Sequence, residues 1–101
     1  MNFLTRELII NDHERFAKSI REKYQVDNCE VIEKKLDEHL VEIGYKFTVN
    51  EQSFEAVILF EENESNELAI KEKEFRINQF PNETFTSLGH VFEKCNINKN
   101  I

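Results

Sequence analysis

Histidine and cysteine are the side chains most often found as zinc ligands, and cysteine can also act as a nucleophile. The histidines are His13, His39 and His90, and the cysteines are Cys29 and Cys95. No two histidines have the i, i+4 spacing that places two ligands on one helix face, and His90 and Cys95 would point to different faces. The pattern therefore predicts no metal site and no cofactor.

The remaining polar residues do not indicate catalysis either. Neither cysteine has a neighbouring histidine or a basic segment that would favour a thiolate nucleophile. The turn Asp37-Glu38-His39 could form an acid–base cluster, but adjacent polar residues in a turn are usually solvated. Two isolated glycines cannot supply a phosphate-binding loop. We therefore expect that the protein is not an enzyme.

The cysteines also bear on the cellular compartment. Cys29 and Cys95 lie far apart in a chain whose first residues lack the basic and apolar segments of a secretion signal. No apolar run is long enough to span a membrane. We expect a cytoplasmic protein with both thiols reduced and buried. The abundance of residues with A/T-rich codons, such as Lys, Asn and Ile, indicates a bacterial or phage genome.

Nearly all the net negative charge lies in one quarter of the chain. The formal net charge is −7, and residues 47–70 contain six glutamates and no basic residue. These glutamates are Glu51, Glu55, Glu61, Glu62, Glu64 and Glu67. Because negative potential repels phosphate, direct binding to nucleic acid or to an anionic membrane is disfavoured, and a basic protein surface is the favoured partner.

The run EENESNE, residues 61–67, allows several explanations. It lacks the aspartates and the central glycine of an EF-hand, which disfavours calcium binding. It could be a solvated loop that keeps apolar strands from pairing with neighbouring molecules. It could instead join Glu51 and Glu55 in an acidic ridge, because alternate strand residues are about 6.6 Å apart and can present a line of carboxylates.

The sequence predicts one helix near each end of the chain. Asn11 followed by Glu14 is similar to a capping box, and the apolar spacing that follows predicts a helix over residues 12–24. Residues 3–10 fit an earlier helical turn or a short strand, and we prefer the helix. Near the other end, Pro81 ends a strand and Asn82 caps a helix over residues 83–95, after which residues 96–101 fray.

Residues 27–49 carry two conflicting patterns. Asp27 and Glu30 could cap a helix through this segment. The alternation of apolar and polar residues from Val41 to Val49 instead predicts a strand, which we prefer because β-branched and aromatic residues dominate it. An earlier strand at residues 29–35 would then pair with it through a turn.

Two further strands complete a four-stranded antiparallel meander. Residues 54–60 are apolar on both faces, as expected of a central strand, and follow a polar loop at residues 50–53. Residues 68–80 fit a bulged strand or two short ones. The expected fold is a single α+β domain over residues 1–101, with an N-terminal helix, the meander and a C-terminal helix in two layers. The expected core consists of Phe16, Ile20, Phe47, Phe54, Ile58, Phe60, Phe75, Leu88 and Phe92.

The function that these observations favour is that of a small acidic, non-catalytic binding protein. Its glutamates would engage a basic surface of a protein partner and occlude a nucleic-acid-binding groove, as inhibitors, immunity proteins and phage counter-defence proteins do. One alternative is a structural or assembly subunit that acts as a homodimer. Another is a small-ligand-binding domain with a pocket between the sheet and the helices.

Overall fold

The computed structural model of the protein describes residues 2–100. These residues form two helices and six strands, in the order β1 (Leu4–Thr5), α1 (Arg6–Lys23), β2 (Asn28–Lys35), β3 (Leu40–Val49), β4 (Gln52–Glu62), β5 (Glu67–Ile77), β6 (Phe80–Phe85) and α2 (Leu88–Lys94). All strand pairs are antiparallel. The predicted α+β class is confirmed, whereas the predicted four-stranded meander underestimates the sheet.

The strands form one sheet in the order β1-β5-β4-β3-β2, with β6 also paired to β5. The long strand β5 pairs with β1 near its beginning, at Leu68, and with β6 near its end, at Phe75. The pairing of β4 with β5 shifts register on both sides of Leu59. Such irregularities bend a strand and increase its twist, so the sheet is not flat.

Helix α1 begins earlier than the helix predicted over residues 12–24, and it includes most of residues 3–10, for which a helix was preferred, while Leu4 and Thr5 form the short strand β1. It starts at Arg6 after the N-cap Thr5, whose side chain makes no capping hydrogen bond, and Asn11 lies inside the helix. The predicted cap at Asn11 is therefore wrong. Ile9 is buried on the same helix face as Ala17 and Ile20, and burying this face on the sheet stabilises the extra turns more than a cap at Asn11 would.

Residues 27–49, which carry two conflicting patterns, form the strands β2 and β3, so the preferred strand prediction is correct. The turn between β3 and β4 is shorter than expected and consists of Asn50 and Glu51, with φ of 50° and 68°. Two consecutive positive φ values are typical of a type I′ hairpin turn. The turn after β4 is also shorter than the EENESNE run, because Glu61 and Glu62 end β4 and Glu67 begins β5.

The region around Pro81 differs from its prediction. Pro81 and Asn82 lie inside β6, an edge strand in which a missing N–H is tolerated. Helix α2 begins only at Leu88, after Ser87, whose side chain accepts a hydrogen bond from the His90 N–H at 3.3 Å. The predicted helix start at residue 83 is therefore wrong.

The segment predicted to fray is held in place as far as residue 100. Asn96 has φ of 58°, and the Ile97 N–H donates to the Phe92 carbonyl at 2.8 Å, which is a Schellman termination of α2. Ile97 is buried, and the Asn100 N–H donates to the Lys23 carbonyl at 2.7 Å. The prediction for residues 96–100 is therefore wrong, and Met1 and Ile101 lie outside the described residues.

Both helices pack on the same face of the sheet and form the core with it. Of the nine predicted core residues, six are buried: Ile20, Phe47, Phe54, Phe60, Phe75 and Phe92. Ile58 and Leu88 are only partly buried. Phe16 is 59% exposed, because α1 turns Ala17 and Ile20 towards the sheet instead, so its placement in the core is wrong. Neither described helix is long and apolar enough to cross a membrane.

Candidate functional site

The six glutamates of residues 47–70, which we call the acidic segment, do not lie along one line. Glu51 is in the turn before β4 and Glu64 is in the turn after it. The strand between them has 11 residues, and at about 3.3 Å per residue it separates the two turns by roughly 36 Å. The structure therefore divides the expected acidic ridge into two ends.

Strand β2 supplies the basic partners that the acidic segment lacks in sequence. Lys34 forms an ion pair with Glu55, and the Lys35 ammonium lies 2.6 Å from a Glu62 carboxylate oxygen. Both lysines reach across β3, which lies between β2 and β4. The Glu62 side chain is only 10% exposed. Two of the six glutamates are thus already paired within the protein.

Three of the other four glutamates lie at the end of the sheet where two turns meet, and only Glu51 lies at the opposite end. The Glu62 N–H donates to the His39 carbonyl at 2.8 Å, which places the β2–β3 turn beside the β4–β5 turn. This contact brings two acidic residues of the β2–β3 turn beside three at or next to the β4–β5 turn. We call this group the acidic end: Asp37, Glu38, Glu61, Glu64 and Glu67.

Side chains fix the shape of both turns. The Asp37 carboxylate accepts hydrogen bonds from the His39 and Leu40 N–H groups at 2.7 and 2.9 Å. The Asn63 side-chain oxygen accepts from the Ser65 and Glu67 N–H groups at 3.0 and 2.9 Å. Because these bonds restrain the backbone, the acidic end is organised before any partner binds.

Apolar side chains adjoin the acidic end on the sheet face that the helices do not cover. The Leu36 N–H donates to the Leu40 carbonyl at 2.9 Å, and Leu40 pairs with Glu61 in β4. Strand alternation places Leu36, Leu40 and Leu59 on this open face, and we call them the leucine patch. Leu36 is 52% exposed, while Leu40 and Leu59 are half-buried. An apolar centre beside charged groups is the usual anatomy of a protein–protein interface.

Comparison with known proteins gives a family without an assigned activity. Residues 3–95 match the model of DUF5634, a family of unknown function. The chain belongs to this family. No curated protein matches its sequence.

The histidines of this DUF5634 protein lie on three different elements. His13 is in α1, where its Nδ1 lies 2.8 Å from the Ile9 carbonyl oxygen and its ring stacks on Tyr45. His39 is in the β2–β3 turn, and the His90 ring in α2 hydrogen-bonds the Thr86 hydroxyl at 2.9 Å. Within residues 2–100, no three His, Cys, Asp or Glu side chains group as a metal site requires.

The cysteines are buried and are not bonded to each other. Burial raises the pKa of the Cys29 thiol to about 11, against a smaller lowering by Arg21. Burial also raises the pKa of Cys95 to about 11. Neither environment favours the thiolate form that a nucleophile needs at neutral pH.

Sequence reasoning found three members of the acidic end and missed the other two as site residues. Asp37 and Glu38 were visible as a polar turn, but their position beside Glu64 follows from the strand order and not from sequence distance. The leucine patch was missed for a similar reason. Leu36 follows β2 directly, and only its pairing with Leu40 shows which face it occupies.

Proposed function

We propose that this protein is a non-catalytic binding protein that engages a basic surface of a protein partner through the acidic end and the leucine patch. The hydrogen bond from Glu62 to His39 carries the proposal, because it brings carboxylates from two turns to one place. A groove that binds nucleic acid has the required positive potential. Occluding such a groove in the cytoplasm would make the protein an inhibitor, an immunity protein or a counter-defence protein.

The two parts of this surface have different physical roles. Exposed carboxylates such as Glu64 accelerate encounter with a positive surface and make the association rate depend on salt. Burial of apolar groups such as Leu36 slows dissociation, at roughly 25 cal/mol for each Å² removed from water. Glu51 and Glu55 stay candidate contacts at the other end of β4, although Glu55 is already paired with Lys34.

The test is a charge reversal with a matched control. The variant Glu61→Lys/Glu64→Lys removes negative charge from the acidic end, and Glu14→Lys/Glu22→Lys makes the same change in net charge on the exposed side of α1. Proteins captured from a lysate of the source organism are identified, and association rates with the purified partner are measured at several salt concentrations. Only Glu61→Lys/Glu64→Lys should associate slowly with the partner, and its association rate should lose most of its dependence on salt. Equal behaviour of the two variants would reject the acidic end as the binding surface.

A third variant distinguishes binding to a partner from self-association of the protein. Leu36→Asp should weaken partner binding by increasing dissociation, and light scattering should give a monomeric mass for both the parent protein and this variant. A dimeric parent protein that Leu36→Asp converts to a monomer would instead support the assembly-subunit alternative, with the open face as its interface.

A further inference from the structure

A pocket of about 540 Å³ lies on the helix-covered side of the sheet, away from the open face. It is bounded by α1, by the end of β4, by the first part of β5 and by the N-terminal residues that form β1. Its volume falls in the range of about 300–1,000 Å³ that small-molecule sites usually have.

The walls of this pocket are largely apolar. Phe60, Leu68 and Ile9 are each less than a tenth exposed and form its inner part. At its mouth, Leu4 and Ile70 are 51% and 48% exposed. The described chain therefore leaves two large apolar side chains open to water beside a buried apolar wall, and an apolar ligand would cover them.

The charged groups of the pocket leave a positive charge without a partner. Asp12 forms an ion pair with Arg15. Lys73 lines the pocket, and among the interactions within residues 2–100 it takes part in no ion pair or side-chain hydrogen bond. Its ammonium can therefore meet an anionic group of a ligand, in a charge-assisted hydrogen bond.

His13 offers the pocket a further hydrogen-bonding atom, because its contact with Ile9 shows which ring nitrogen carries the hydrogen. A carbonyl oxygen only accepts, so the Nδ1 atom that lies 2.8 Å from the Ile9 carbonyl must carry a hydrogen. The neutral ring then has its lone pair on Nε2, which can accept a hydrogen bond, for example from a hydroxyl group or from a bound water.

We propose that this pocket binds a small monoanionic amphiphile, with its apolar body on Phe60, Leu68 and Ile70 and its carboxylate on Lys73. The site is distinct from the acidic end and does not depend on the proposed function. Medium-chain fatty acids have this chemistry, and decanoate is a suitable probe.

The test is calorimetric titration with decanoate below its micelle concentration. Decanoate should bind at one site, and decanol, which lacks the charge, should bind about tenfold more weakly. Lys73→Gln should reduce decanoate affinity by a similar factor, while the matched variant Lys71→Gln, two positions along the exposed part of β5, should leave it unchanged. Ile70→Glu should abolish binding, and Leu8→Glu, at an equally exposed leucine outside the pocket, should not.

Amide chemical shifts locate the bound probe. Decanoate should perturb the amides around His13 and residues 68–73. Perturbations confined to the second groove, between α1 and α2 around Phe16 and Leu88, would overturn the proposal. So would undetectable binding, or equal losses of affinity in Lys73→Gln and Lys71→Gln.

Discussion

The ammonium of Lys35 lies 2.6 Å from a carboxylate oxygen of Glu62, two strands away, and the Glu62 side chain is only 10% exposed. The acidic segment therefore contains glutamates with different roles. Glu62 belongs to an ion pair at the edge of the core, whereas Glu64 is an exposed turn residue.

This difference predicts unequal effects of charge reversal on stability. Glu62→Lys would place two ammonium groups together, and it should lower the free energy of unfolding by about 1–3 kcal/mol. Glu64→Lys should change it by less than about 0.5 kcal/mol, because exposed charges contribute little. Urea denaturation measures both values. Equal effects would show that the Lys35–Glu62 pair contributes nothing to stability.

The backbone of β3 predicts a large effect of a single methyl group. A Cβ atom added to Gly44 would lie 1.9 Å from the Ala56 carbonyl oxygen and 2.6 Å from the Val57 Cα. Gly44→Ala should therefore destabilise the protein by about 1–3 kcal/mol or more, because the two strands must separate. At Gly89 in α2 the nearest atom is the Ser87 Oγ at 3.6 Å, so Gly89→Ala should stabilise by about 0.5–1 kcal/mol. A thermal melt of each variant tests this contrast in sign.

The strands were predictable where the pattern of side chains is local. Alternation identified β3 from Val41 onwards, and the apolar run at residues 54–60 identified the centre of β4. The need for glycine at position 44 was not predictable, because it comes from the approach of the β4 backbone. The same limit applies to the acidic end, whose turns meet only once the strand order is known.

The errors at the helix ends have a common physical cause. Asn11 and Asn82 were interpreted as N-caps from their residue type, but tertiary packing placed one inside α1 and the other inside β6. Side-chain capping contributes only about 1 kcal/mol, and burial of a few apolar side chains contributes more. The exposure of Phe16 follows similarly, because Ala17 and Ile20 on the adjacent face contact the sheet.

Truncation of phenylalanines should separate core from surface. Phe60 is 3% exposed, and Phe60→Ala should cost about 3–5 kcal/mol. Phe16 is 59% exposed, and Phe16→Ala should cost less than about 1 kcal/mol. Ile58 is partly buried, so Ile58→Ala should lower the free energy of unfolding by an intermediate amount. Chemical denaturation of the three variants orders them, and a larger loss at Phe16 than at Phe60 would contradict the orientation of α1.

The β3–β4 turn predicts a stabilising substitution. Glu51 has φ of 68°, a left-handed conformation that costs a residue with a Cβ about 1–2 kcal/mol. Because Asn-Gly is the preferred type I′ sequence, Glu51→Gly should raise the free energy of unfolding by about 1 kcal/mol. Gln52→Gly, one residue later in β4, should lower it, since glycine weakens a strand. Melting temperatures that move in the same direction for both variants would argue against this turn type.

The buried thiols predict how stability changes with pH. Burial raises the pKa of Cys29 and Cys95 to about 11 in the folded protein, whereas an unfolded thiol has a pKa of about 8.5. Between these values the unfolded chain releases protons that the folded chain retains, so stability is complete below about pH 8.5 and falls as pH rises towards 11.

Each pKa unit of difference corresponds to about 1.4 kcal/mol, and urea denaturation between pH 8 and 11 measures the loss. A Cys29→Ala/Cys95→Ala variant should lose less stability over this range, although it is less stable at pH 7. Mass spectrometry of protein purified without reductant should find two free thiols, which react with a thiol reagent slowly until urea unfolds the chain. An equally steep fall in stability for the variant, or a disulfide between the two cysteines, would refute this account.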